Sequence, residues 1–264
     1  MKILKNAGTF EVLINPENVI ENIAKVARTC YQSHDKTSPE SDEKLVANLL
    51  GRGHHAMLEF SLMAVRFNDI SRGFTHEMVR HRLCSFAQES TRYVDESDLH
   101  VVVPPHKDEN EKAHLVVDSY DSKDGKNHYN TLASCLHNNE QTYAALRKNG
   151  WKPEDARQVL PIATRSQIVV GANLREWRHI FKMRCDKYAH WEIRGVMLDL
   201  LDWCKKNVPL VFDDFEYFTL TDEGNLVAGR RKGKVYARPM PIEGEITEMG
   251  DHMRAILMAA VGEK

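Results

Sequence analysis

The chain has 264 residues, enough for one domain with extensions and a sizeable core. Its formal net charge of −2, with 42% hydrophobic and 28% charged residues, is ordinary for a globular protein and lacks the basic excess that non-specific nucleic-acid binding needs. Five cysteines in no CxxC pair argue against a disulfide framework or zinc ribbon and for a reducing, cytoplasmic setting, while no signal-peptide core and no apolar run of about 18 residues speak against export or a membrane span.

In chain order, Pro16 to Tyr31 reads as a helix, with Val19, Ile20, Ile23, Val26 and Ala27 at helical spacing. A second starts at Ser41, carries Leu45, Val46, Leu49 and Leu50, and ends at Gly51 and Gly53. Leu58, Phe60, Leu62 and Ala64 alternate as a strand would. Ser71 caps an expected helix reaching about Leu83, and His100 to Val103 is a short strand stopped by Pro104 and Pro105. Residues 106–127 are polar and read as a loop, Asn127 to Lys148 as a helix closed by Asn149-Gly150, and Pro153 begins a short one. One long helix is expected from Leu174 to Asn207. From Thr219 the chain turns rich in glycine and proline, then finishes in an amphipathic helix through Met249, Met253, Ile256, Leu257 and Ala260. The mixture implies an α+β fold, with helices around a small, mostly antiparallel sheet.

The segment from His76 to Arg92 is the densest polar region. Arg80, Arg82 and Arg92 with His76, His81, Ser85, Gln88 and Ser90 suit an anion cradle, because guanidinium forks bind phosphate at two points. A solvated helix end would look the same. A zinc-protease pattern fails, since His76 and His81 are five apart and point away from each other on a helix. Gly51-Arg52-Gly53 lacks the third glycine of a dinucleotide loop. On the long helix, Trp177, Phe181, Arg184, Tyr188, Trp191, Gly195 and Leu198 advance by fours and threes and would share one face. Arg184 amid that stripe either meets a core carboxylate or awaits an anionic ligand. Asn173, Arg175 and His179 stand near the helix start, a favourable place for anions.

Arg80-His81-Arg82, seven residues, then Ser90 resembles the signature of the flavin-dependent thymidylate synthases. Ala156 to Pro161, Asn173 to Ile193, and Gly53-His54 with Glu59 resemble three further blocks of that family, in its order. The similarity spans roughly residues 10–217, leaving 218–264 as a C-terminal extension. The resemblance implies reductive methylation of dUMP to dTMP, with methylenetetrahydrofolate as carbon donor, FAD as cofactor and NADPH as reductant. It places His54, Glu59, Arg80, His81, Arg82, Gln88, Asn173, Arg175 and His179 against FAD. It places Glu77, Arg80, Gln88, Glu89, Ser90, Thr91, Arg92, Arg157 and Arg184 around dUMP, in sites shared across a homotetramer, with no metal. Ala56, Gln88 and His179 depart from the family's commoner residues.

No cysteine follows a proline here, so the classical route by cysteine attack on the uracil has no candidate. In the resembled family a cation polarises the ring instead, and Arg184 would fill that role. Two rivals use the same residues differently. A non-catalytic nucleotide- or RNA-binding protein predicts salt-sensitive binding of longer nucleic acid. A metal-dependent hydrolase drawing on the thirteen histidines predicts chelator sensitivity. In the tail, Arg230, Arg231, Lys232, Lys234 and Arg238 read as a solvated linker or as a basic flap.

Overall fold

The computed structural model describes residues 1–5, 8–103, 116–121, 127–220, 226–227 and 235–239. The strands are β1 (Lys2–Lys5), β2 (Thr9–Ile14), β3 (Leu62–Ser71), β4 (Ser85–Gln88), β5 (His100–Val103), β6 (Val116–Asp121), β7 (Asn127–Thr131), β8 (Arg165–Asn173), β9 (Phe215–Leu220), β10 (Leu226–Val227) and β11 (Val235–Pro239). The helices are α1 (Val19–Tyr31), α2 (Pro39–Gly51), α3 (Arg72–Met78), α4 (Leu132–Lys148), α5 (Pro153–Ala156), α6 (Leu174–Arg184) and α7 (Trp191–Asn207). The fold is α+β, as expected. The chain divides into two compact units that interleave in sequence.

The first unit comprises Met1–Leu13, Ala64–Gly171 and Trp191–Val196. Its centre is a four-stranded sheet in the order β2-β3-β8-β4, in which β4 runs antiparallel to β8 with Ser85 opposite Gly171 and Gln88 opposite Ile168. Strand β8 alternates buried and half-buried positions, so Ser166, Ile168 and Val170 face the interior. Phe67 of β3 packs on Phe74 of α3 with ring centroids 5.3 Å apart. A smaller apolar cluster of Leu99, Val101, Val103 and Leu136 lies where the parallel pair β1-β5 meets α4. Helix α4 ends as its Asn-Gly pair foretells: Gly150 has φ 85°, and the Trp151 N–H reaches back 3.1 Å to the Leu146 carbonyl.

The second unit comprises Ile14–Met63, Ala172–His190 and Met197–Lys264. Helices α1 and α2 pack together, joined by the buried pair Arg28–Asp42 at 2.6 Å. Helix α6 buries Trp177, Ile180 and Phe181; the Trp177 indole donates to the Met63 carbonyl at 3.1 Å, and Phe181 meets Phe212 edge-on at 5.4 Å. Strands β10, β9 and β11 form an antiparallel sheet.

Several expectations need correction. The long helix is two, α6 and α7, broken over residues 185–190. The break has local causes: Asp186 accepts the Tyr188 N–H at 2.9 Å in an Asx turn, and the Cys185 carbonyl accepts from Ala237 on β11. The seven-residue stripe therefore does not share one face, and Tyr188 is 86% exposed. Helix α3 stops at Met78 rather than near Leu83, because β4 draws the following chain into the sheet. Helix α2 starts at Pro39, since Ser38 supplies the cap by accepting the Ser41 N–H at 3.2 Å. Leu58 and Phe60 lie in a 3-10 turn (His55–Phe60) ahead of β3. Asn127 to Thr131 is not helical: it pairs antiparallel as β7 with β6, which lies within the 106–127 segment where a loop was expected. The loop-rich tail holds the strand pairing of β9 to β11. The expected terminal helix and residues 230–234 of the basic run lie outside the described residues.

Candidate active site

Helix α3 is positioned by its own start. Ser71 accepts the Phe74 N–H at 3.1 Å, as a cap should, and the Glu192 carboxylate takes both the Ser71 N–H and its hydroxyl at 2.6 Å. The Arg72 and Gly73 N–H groups bond the carbonyls of Thr164 and Ile162 at 2.9 and 3.1 Å. This clamps the helix against the chain that enters β8. Arg72 and His76, four apart, share a face of α3 and line a cleft of about 410 Å³ with Thr91, Arg157, Ile162 and Thr164. Arg72 also donates to the Glu89 carbonyl at 3.1 Å, and Arg157 to the Thr91 hydroxyl at 3.4 Å. Burial, then the charge of Arg157, pushes the Arg72 guanidinium below its ordinary value. The wall of this cleft is thus crowded with positive charge.

After α3 the segment Arg80 to Cys84 makes tight turns, with the His81 N–H on the Met78 carbonyl and the Cys84 N–H on that of His81, both at 3.1 Å. His81 is buried, whereas Arg80 and Arg82 are exposed. Gln88 ends β4 and donates to the Thr75 hydroxyl at 2.9 Å. The Glu89 carboxylate is held by Arg165, 3.2 Å away, which also bonds Asp69 at 3.0 Å. Ser90 accepts the Arg92 N–H, and the exposed Arg92 pairs with Glu154 at 3.3 Å. These residues, with half-buried Glu77, all belong to the first unit.

The second unit carries another set. Asn173 caps α6, its side-chain oxygen accepting the Glu176 N–H at 2.9 Å. Arg175 and His179, four apart and both exposed, share a face of that helix, and Arg175 pairs with the exposed Glu59 at 2.5 Å. His54 is exposed at the entry to the 3-10 turn. The neighbouring His55 is held below its usual value by burial and then by the charge of Arg178. Arg184 is the last residue of α6 and half-buried.

A family model for the Thymidylate synthase complementing protein matches residues 12–210. The flavin-dependent thymidylate synthase of Corynebacterium diphtheriae is 36% identical over 206 residues, covering 76% of this chain and 80% of that one. That of Mycobacterium tuberculosis H37Rv is 37% identical over 200 residues, covering 74% and 79%. The chain belongs to the flavin-dependent thymidylate synthase family. Two solved structures share the fold. The UMP/dUMP methylase PolB of Streptomyces cacaoi, bound with 5-Br dUMP, superposes with a TM-score of 0.63 at 20% identity, covering 81% of this chain and 96% of that one. Thymidylate Synthase X of Helicobacter pylori, with FAD and dUMP, gives 0.59 at 20%, covering 78% and 98%.

In this flavin-dependent thymidylate synthase relative, the residues expected at the nucleotide gather in the first unit, Arg184 excepted. Those expected at the flavin divide between the signature in the first unit and Asn173, Arg175, His179, His54 and Glu59 in the second. Arg72 is not among the residues expected from the sequence, whereas His76 belongs to the segment read there as an anion cradle. Their four-residue spacing behind the Ser71 cap is a signal that places them together. The buried arginine of α6 is Arg178 rather than Arg184: it donates to the Val211 carbonyl and grips Asp214 with two bonds of 2.7 and 2.6 Å.

Proposed function

We propose that this protein converts dUMP to dTMP, taking the carbon from methylenetetrahydrofolate and reducing equivalents from NADPH. The observation that carries the reading is the cleft lined by Arg72, His76, Thr91 and Arg157, within a chain matched to the family over residues 12–210. A cleft of about 410 Å³ suits a nucleoside monophosphate, and Arg72 and Arg157 suit its phosphate. Gln88, Glu89, Ser90, Thr91, Arg92, Glu77 and Arg80 complete the nucleotide's surroundings in this proposal. The donor set of the second unit fits FAD: exposed Arg175 and His179 on one helix face suit a pyrophosphate, and Glu59 suits a hydroxyl or amine donor. His54, Arg80, His81, Arg82, Gln88 and Asn173 would complete that hold. Bound FAD, reduced by NADPH, supplies the hydride.

Methylation needs electron density at uracil C5. Arg184 supplies it by placing a fixed positive charge near N3 and O2, which stabilises a negative ring in a water-poor site. No cysteine is required. Cys185 and Cys204 are buried, and burial pushes the Cys204 thiol far up, away from nucleophilic use. Single replacement of Cys30, Cys84 or Cys135 by serine is expected to leave turnover largely intact. Loss of turnover with flavin retained in any of them would reopen a covalent route.

Residues 1–217 form the catalytic domain in this proposal and 218–264 an extension. The enzyme acts as a cytoplasmic homotetramer whose sites are completed across subunits. Exposed Leu83, Tyr188 and Phe60 are the kind of apolar surface such contacts cover. No described helix is long and apolar enough to cross a membrane.

The deciding assay supplies dUMP, methylenetetrahydrofolate and NADPH to yellow, flavin-loaded protein. The expected result is dTMP, with release of the C5 hydrogen and dUMP-stimulated NADPH oxidation. A flavin-loaded sample yielding none of these, yet binding long RNA in a salt-sensitive way, would favour the non-catalytic reading.

A further inference from the structure

Glu96 follows the Thr91–Val94 turn in the first unit and is 9% exposed. Its N–H donates to the Tyr143 hydroxyl of α4 at 3.2 Å, but its side-chain Oε1 is shielded from solvent with no hydrogen-bond partner among the described residues. An ionised carboxylate with one oxygen in that setting is costly, because at that oxygen neither water nor a donor compensates the charge. The charged groups around it come from every side. Glu89, past the end of β4, and Asp95, its chain neighbour, oppose its charge; Arg165 of β8 and Arg72 of α3 favour it. Asp95 is in turn paired with Arg147 of α4 at 2.9 Å. Burial first and Glu89 second push the Glu96 carboxyl up to about 7, against Arg165 and Arg72.

Arg72 connects this carboxyl to the cleft. It feels the charge of Arg157 and, to a smaller degree, that of Glu96, and with Arg157 it lines the cleft wall. We propose that Glu96 is a proton-linked positioning residue for anion binding: it takes up a proton when a phosphate monoester binds against Arg72 and Arg157. The reading of the ligand as dUMP rests on the function proposed above. An ionised Glu96 cancels part of the field that Arg72 offers, so it weakens the hold on a phosphate; a neutral Glu96 leaves that field whole. By linkage the bound phosphate holds the proton on Glu96. The sign follows. The Glu96 contribution to binding is complete below neutral pH and is lost as pH rises through the range in which Glu96 ionises.

The test is isothermal titration of flavin-loaded wild type and Glu96→Gln with dUMP, and in parallel with inorganic phosphate, at pH 6, 7 and 8 in buffers of differing ionisation enthalpy. Relative to Glu96→Gln, wild-type affinity should fall between pH 6 and 8, by about tenfold for each unit by which the ligand raises the Glu96 pKa. Net proton uptake in excess of the variant's should appear near pH 7. Glu96→Gln should bind at pH 8 as the wild type does at pH 6, apart from the ligand's own ionisation, which is common to both proteins. A merely structural glutamate would leave the pH slope and the proton count of wild type and variant alike, and that result overturns the proposal. Should the variant fail to fold, the wild type is titrated with sulfate, whose charge is constant over this pH range; absence of proton uptake there is overturning. If phosphate binds with the Glu96 signature while dUMP does not bind at all, this inference stands and the proposed substrate falls. If neither ligand binds, both fall.

Discussion

Arg184→Ala should lose about 10²–10³-fold in turnover, the usual cost of one fixed group that stabilises a developing anion. The flavin spectrum and the fold should survive. The position explains why the two effects separate. Arg184 is the last residue of α6 and half-buried, so its removal opens no large core cavity. A cation there also sits at the negative end of the helix dipole, where it is favoured before any substrate arrives. Arg178, six residues earlier, is the contrasting case: it is buried, and its guanidinium is committed to Asp214 and the Val211 carbonyl. The measurement is steady-state dTMP formation at saturating dUMP, with flavin absorbance and melting temperature recorded on the same sample. Near-normal turnover would assign Arg184 a structural role.

Trp177→Ala should cost about 3–5 kcal/mol of stability, the range for emptying a large aromatic site in a core. Trp177 is fully buried, packs 5.9 Å from Phe181, and caps the Met63 carbonyl with its indole N–H. Truncation removes the packing and strands that carbonyl, two penalties in one substitution. The melting temperature should drop by roughly 10 °C. Trp151 is the internal control. It is 48% exposed, and Trp151→Ala should shift stability by less than about 1 kcal/mol. Equal melting of the two variants, followed by circular dichroism, would refute the packing assigned to α6.

The sequence was most informative where a local rule leaves little choice. Ser71 as a cap, Asn149-Gly150 as a helix end, and the outer limits Leu174 and Asn207 of the expected long helix all stand in the structure. So does the strand His100–Val103 before its two prolines. The signature block and three others were legible because each is a short, continuous stretch of chain. By the same logic β8 was legible but overlooked: Ser166, Ile168, Val170 and Ala172 alternate inward at period two.

What tertiary structure decided is of another kind. The break at residues 185–190 comes from an Asx turn at Asp186 and from a carbonyl at Cys185 claimed by Ala237, fifty-two residues away in the chain. Helical periodicity continues through that segment, so no local count could find the break. The end of α3 is likewise set by β4 pairing with β8, some eighty residues further on. The cleft joins Arg72 to Arg157, and the Glu96 carboxyl is pushed up by burial first and Glu89 second, against Arg165. Burial, cavity shape and the ionisation of a carboxyl depend on which distant segments exclude water from it. A sequence records which groups are present and their local order; only the folded chain sets their separation in space and the dielectric between them.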